Sequence, residues 1–102
     1  IVTTPQEVAL ADARRAFRLF DKVGVPTLGL IENMTGPVFG HGGGGAEAER
    51  LSIAFLGDLP LDAAVRQGGD AGLPTVLADP RGDVATRFSR FAAAVADALG
   101  LA

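Results

Sequence analysis

"VPTLGLIENMTGPVFGHGGGGAEAERLSIAFLGDLP" occupies residues 25–60, and its reading decides the architecture of the chain. Thr27 to Ile31 is an almost continuous apolar run, the pattern of a strand covered on both faces. "IAFLGD", residues 53–58, repeats that character and predicts a second buried strand ending near Asp58. Between them lie a glycine-rich loop and "AEAERL", which predicts a short helix from about Ala46 to Ser52. Two buried strands separated by a helix imply a parallel pair joined by a right-handed crossover.

Working upstream, "IVTTPQEV" begins with a β-branched run, Ile1 to Thr3, and continues as a capping box. Thr4 is the expected N-cap, Pro5 the first helical residue and Glu7 the third. The helix that follows should reach about Asp21, with Leu10, Ala13, Phe17 and Phe20 as its buried stripe. Arg14, Arg15, Arg18 and Lys22 fall in its C-terminal half, where cations complement the helix dipole and face solvent. Downstream, "LDAAVRQGG" predicts one or two helical turns. "ADPRGDVATRFSRFAAAVADALG" predicts a long final helix. Val84, Phe88, Phe91, Val95 and Leu99 line one face of it, and Gly100 is its expected C-cap.

The fold class is therefore α/β, a three-layer parallel sheet with flanking helices, forming one partial domain over residues 1–102. Only three strands can be counted, and the first begins at residue 1, so the chain reads as the second half of a larger α/β domain. An initial Ile rather than Met favours a processed or truncated product.

Composition excludes several chemistries. The chain has no Cys, so disulfides, thiolate metal ligation and thiol catalysis are absent. One His, His41, does not make a histidine-rich zinc site. A net charge of −3 with mixed signs gives no basic footprint for nucleic acid. There is no long apolar run and no signal-peptide pattern, so a soluble, cytoplasmic protein without membrane attachment is expected. Ser52 and Ser89 lie in helix patterns, which gives no support for triad chemistry.

Gly40, Gly42 and Gly45 spell G-x-G-x-x-G, but without the core strand and long helix that give the fingerprint meaning. A Walker A loop needs a lysine directly after its glycines, and the chain's one lysine is Lys22. A self-sufficient phosphate site is thus not encoded. The glycine run is left as a mobile loop whose amides meet a partner or ligand, with His41 exposed within it. The two strand ends are more informative, because open parallel sheets bind ligands beyond their carboxyl ends. Glu32-Asn33-Met34 closes one strand and Pro60-Leu61-Asp62 follows the other. Asn33 offers a donor and an acceptor suited to a purine edge, and Pro60 and Leu61 can pack flat on a ring. The plainer alternatives are a turn residue for Asn33 and a helix N-cap for Asp62.

"VTTPQEVALADARRAF", "VPTLGLIENMT", "FGHGGGGAEAERL" and "FLGDLPLDAAVRQGGDAGLPTVLADP" resemble, in order and spacing, the C-terminal half of Mrp/ApbC-type P-loop ATPases. These are iron–sulfur cluster carriers of the deviant-Walker superfamily that includes MinD and ParA. The resemblance runs from about Ile1 to Pro80. It implies a homodimeric, ATP- and magnesium-binding ATPase with iron–sulfur client proteins. It sets Asn33 and Met34 on one side of the adenine and Pro60, Leu61 and Asp62 on the other. The Walker A lysines and magnesium carboxylates lie upstream in the family and are not in this chain, which alone is expected to be inactive. The family's C-P-x-C segment is also missing, because only Thr35 to Val38 separate "ENM" from "FGHGG". With no thiolate the chain cannot hold a cysteine-ligated cluster. Two other readings stand beside this one. The chain is a stand-alone, non-catalytic interaction or dimerisation module, or a fragment of a ParA/MinD-type partitioning ATPase.

Overall fold

A computed structural model describes residues 1–101. The elements are β1 (Val2–Thr3), α1 (Glu7–Lys22), β2 (Leu30–Thr35), α2 (Gly43–Leu51), β3 (Phe55–Pro60), α3 (Ala63–Ala71), α4 (Thr75–Ala78) and α5 (Asp83–Ala98). The strands form one parallel sheet in the order β1-β2-β3. Strand periodicity divides the side chains between two faces. Thr3, Leu30 and Glu32 are buried on the face that carries α1 and α2. Val2, Ile31 and Asn33 point to the opposite face, where α5 covers β3. The apolar centre on that side is Leu59, Val84 and Phe91, with Ile31, Leu56 and Val65 against it. Helices on both faces of a parallel sheet make the three layers expected from the sequence.

Several boundaries differ from expectation. β2 spans Leu30–Thr35 rather than Thr27 to Ile31, so Glu32, Asn33 and Met34 lie inside the strand instead of closing it. The ladder starts only where the Leu30 N–H meets the Ala54 carbonyl at 2.9 Å. It extends to a Thr35–Pro60 pair, across a bulge between Glu32 and Thr35. β3 correspondingly ends at Pro60 and not at Asp58. The capping box does not form. Gln6 is the N-cap, and the Thr4 hydroxyl bonds the Gln6 side chain at 3.1 Å. The Pro5 carbonyl lies against Gly43, where an added Cβ would stand 3.0 Å from it. That crossing with α2 holds Pro5 and Gln6 out of the helix. Phe20, Phe88 and Leu99, expected in buried stripes, are all exposed. Gly100 does end α5, at φ +71°, with Leu101 N–H bonded to the Ala96 carbonyl at 2.8 Å.

α2 starts at Gly43, inside the glycine run, rather than at Ala46. The cause is electrostatic. The buried Glu32 carboxylate accepts from the Gly44 amide at 2.7 Å and from Gly42 at 3.4 Å. An anion placed on the free amides of a helix N-terminus favours helix there. Two of the glycine amides, Gly42 and Gly44, are thus occupied from within rather than left for a ligand. Close approach adds to the need for glycine, because a Cβ on Gly44 would stand 2.9 Å from the Glu32 Cβ.

Candidate functional site

The sheet is only half covered on the α5 side, and the uncovered part forms a groove of about 780 Å³. Its floor is the sheet, with Val2 and Ile31, and its far wall is α5, with Phe88, Phe91 and Val95. At the carboxyl ends of β2 and β3 the mouth is formed by Asn33, Met34, Pro60, Leu61 and Asp62. All five residues singled out in the sequence thus line one groove.

The bulge in β2 shapes this mouth. Two residues, Asn33 and Met34, stand opposite Leu59 alone. Met34 takes the left-handed conformation, φ +60°, which is unfavourable for a side chain of its kind. The Asn33 side-chain oxygen accepts the Met34 N–H at 2.9 Å. Its amide nitrogen has no protein partner among the described residues and is a polar group open to a ligand, beside the Asp62 and Arg66 side chains on the same lining. Asn33 was expected to offer a purine edge both a donor and an acceptor. The structure commits much of the acceptor to the backbone.

On the other wall, the Leu61 N–H bonds the Thr35 carbonyl at 3.0 Å, so β3's exit follows β2's. Asp62 is the N-cap of α3, accepting the Ala64 N–H at 2.9 Å. That is the plainer of its two roles, and it starts α3, whose Val65 and Arg66 also line the groove. Arg87 fixes α5 behind the groove. Its guanidinium donates to the Asp58 carbonyl at 3.0 Å, to the Asp58 carboxylate, and to Asp83 at 2.9 Å. These acceptors, Asp83 first, hold its pKa above the ordinary value.

The groove suits a flat, mostly apolar ring with one hydrogen-bond acceptor on its edge. Arg66 is a cation on the groove's lining, paired with Asp70 at 3.3 Å, while Lys22 ends α1 on the other side of the sheet and Glu32 occupies the Gly42 and Gly44 amides. His41 is exposed in the loop before α2. Among the described residues no group of three or more His, Asp or Glu side chains forms a metal cluster, and no helix is long and apolar enough to cross a membrane.

Sequence reasoning missed Glu32 and Thr35. Thr35 donates its hydroxyl to the Glu32 carboxylate at 2.6 Å. A carboxylate at the end of an apolar run, followed ten residues later by glycines opening a helix, was the signal available. It also missed Glu47, a fully buried acid on α2 paired with Arg14 of α1.

A family model described as ParA, the NUBPL iron-transfer P-loop NTPase, matches residues 1–96. The iron–sulfur cluster carrier protein of Synechocystis sp. is 37% identical, covering all of this chain and 32% of the relative. The mitochondrial iron–sulfur protein required for NADH dehydrogenase of Arabidopsis thaliana is 39% identical over 90% of this chain and 33% of its own length. The chain thus spans about a third of the curated relatives it matches. The solved cell division ATPase MinD of Pyrococcus furiosus superposes with a TM-score of 0.82 at 25% identity. The match covers 93% of this chain and 40% of that one. The parallel sheet with flanking helices is accordingly a P-loop NTPase fold.

Proposed function

Because the chain belongs to the NUBPL-type iron-transfer P-loop NTPases of the ParA family, we propose that it forms the adenine side of an ATP site in a protein of iron–sulfur cluster assembly or transfer. One observation carries this reading. Asn33, Met34, Pro60, Leu61 and Asp62, from two different strand ends, meet at the mouth of a single apolar groove. The free Asn33 amide can donate to a ring nitrogen, while Met34, Pro60 and Leu61 enclose the ring faces.

Bound ATP with magnesium supplies a transferable γ-phosphoryl group. Its transfer requires a positioned cation and metal-binding carboxylates. This chain's residues bind and orient the base and exclude water from it, and they do not reach the phosphates. An N-terminal Walker A half supplies that part, the chain forms the C-terminal half of the complete domain, and the complete protein pairs as a homodimer. No cysteine is present, so the donor set does not fit a thiolate-held iron–sulfur cluster. Where the family carries its cysteines, Gly36 and Gly40 close a tight loop by paired bonds of 2.9 and 2.8 Å.

The test is a titration of the isotope-labelled 102-residue chain with adenosine, followed by amide NMR shifts. Shifts confined to Asn33, Met34, Leu61 and the α5 face support the reading. No shift at millimolar adenosine, or equal shifts with uridine, defeats it. The same chain should show no magnesium-dependent ATP turnover.

A second reading rests on β1, an edge strand whose Val2 is 64% exposed. In that case the chain is an interaction module whose sheet is completed by another copy. A monomer by light scattering at high concentration counts against it.

A further inference from the structure

The Glu32 carboxylate is almost completely buried and lies just below the groove's mouth. One oxygen accepts from the Gly44 amide at 2.7 Å. The other accepts from the Thr35 hydroxyl at 2.6 Å and from the Gly42 amide at 3.4 Å. Two residues of its own strand separate Glu32 from Thr35, and these are Asn33 and Met34, the bulge. The Glu32–Thr35 contact therefore closes the bulge like a clasp, gathering both ends of a segment that contains a left-handed Met34. Thr35 in turn holds the opposite wall, through its carbonyl and the Leu61 N–H.

We propose that Glu32 is the positioning residue of the base site: it sets the Asn33–Met34 bulge and, through Thr35, the Leu61 wall, and anchors both to the N-terminus of α2. The assignment of the ligand rests on the adenine reading above, but the clasp itself does not. Glu32 touches no ligand, because it faces the α2 side of the sheet while Asn33 faces the groove. Its charge matters as well as its shape. A carboxylate accepts from three donors at once, whereas a carboxamide has one acceptor oxygen and turns its N–H₂ toward at least one glycine amide that it cannot pair with. The left-handed backbone at Met34 is then no longer held against its own strain.

The experiment compares wild type, Glu32→Gln, Thr35→Val, Asn33→Ala and the Glu32→Gln/Asn33→Ala double variant. Thr35→Val keeps the strand pairing and removes one donor, which serves if Glu32→Gln does not fold. Without ligand, Glu32→Gln or Thr35→Val should move the Met34 and Leu61 amide resonances while those of α5 stay. Unmoved Met34 and Leu61 overturn the clasp, whether or not adenosine binds. With adenosine, Glu32→Gln should weaken binding about tenfold, as expected for lost charge-assisted bonds. In the Asn33→Ala background the same change should cost clearly less than in wild type, because part of Glu32's effect passes through Asn33 and the rest through Met34 and the Leu61 wall. Full multiplication of the two effects, or adenosine affinity unchanged in Glu32→Gln, overturns the positioning role. Absence of adenosine binding to the wild type sinks the base reading instead, and leaves the amide shifts to decide the clasp.

Discussion

Arg14 and Glu47 bind each other through two parallel hydrogen bonds, Nε to Oε2 at 3.1 Å and an Nη to Oε1 at 2.6 Å, and Glu47 is completely buried. This fork joins α1 to α2 on the covered face of the sheet. Arg50 adds a longer contact at 3.5 Å. Bidentate arginine–carboxylate pairs combine strength with fixed geometry. The pair sets the angle of α2, whose N-terminus rests on Glu32.

Glu47→Gln keeps the volume but removes the charge, leaving Arg14 without its partner. Arg14 is partly exposed and recovers some hydration, so the loss should be moderate, about 1–3 kcal/mol. Urea unfolding followed by circular dichroism measures it. A midpoint equal to wild type would show that the pair contributes nothing net.

The same pair predicts a pH dependence. The hydrogen bond from Arg14, ahead of its Coulombic attraction, holds the Glu47 pKa below its ordinary value of 4.5, and raises that of Arg14. A carboxylate with a depressed folded-state pKa binds fewer protons folded than unfolded below pH 4.5. Its contribution is therefore complete above about 4.5 and is lost as pH falls through the lower, folded value. Unfolding free energy should be flat from pH 7 to 5 and decline below that. The decline should be shallower in Glu47→Gln. An identical acid slope in both proteins would assign the titration to other carboxylates.

Neighbouring glycines at the start of α2 should respond oppositely to one methyl group. At Gly44 the added Cβ would lie 2.9 Å from the Glu32 Cβ and 3.1 Å from Leu30 Cδ2, both buried. Gly44→Ala should lose about 1–3 kcal/mol by overpacking. At Gly45 the nearest atoms are Phe55 ring carbons at 3.8 Å, an ordinary contact. Gly45→Ala should gain about 0.5–1 kcal/mol from helix propensity. Thermal melts of the two variants decide the matter, and a shared sign would contradict the packing of α2 on β2.

The layers of the fold were legible because they follow from periodicity. Apolar runs at 27–31 and 53–58 pointed to strands, which form at Leu30–Thr35 and Phe55–Pro60 with β3 mostly part-exposed, and the Val84-to-Leu99 spacing pointed to a helix. Register was not legible. The β2–β3 ladder carries two one-residue shifts of opposite sign, between Leu30 and Ile31 and between Glu32 and Thr35, and they arise from pairing rather than propensity. The mouth residues were found because strand ends are sequence features, whereas their support was not. Glu32, Thr35 and Gly44 become partners only when α2 folds back on β2. Likewise the Arg14–Glu47 fork spans 33 positions, and nothing in a helix pattern distinguishes a buried Glu47 from its exposed neighbour Glu49.

Met34 brings stability and binding into conflict. At φ +60° a methionine carries about 1 kcal/mol of backbone strain that glycine would not. Met34→Gly should raise stability by about 0.5 kcal/mol, after allowing for glycine's greater freedom in the unfolded chain. It also removes the thioether side chain from the groove's mouth, where Met34 is 38% exposed and able to lie on a ring. Adenosine affinity should therefore fall, by about three- to tenfold for the lost apolar contact, while the unfolding midpoint rises. Opposite movement of the two quantities is the outcome a strained binding residue predicts. If stability and affinity fell together, the left-handed turn would instead depend on the methionine side chain for its own support.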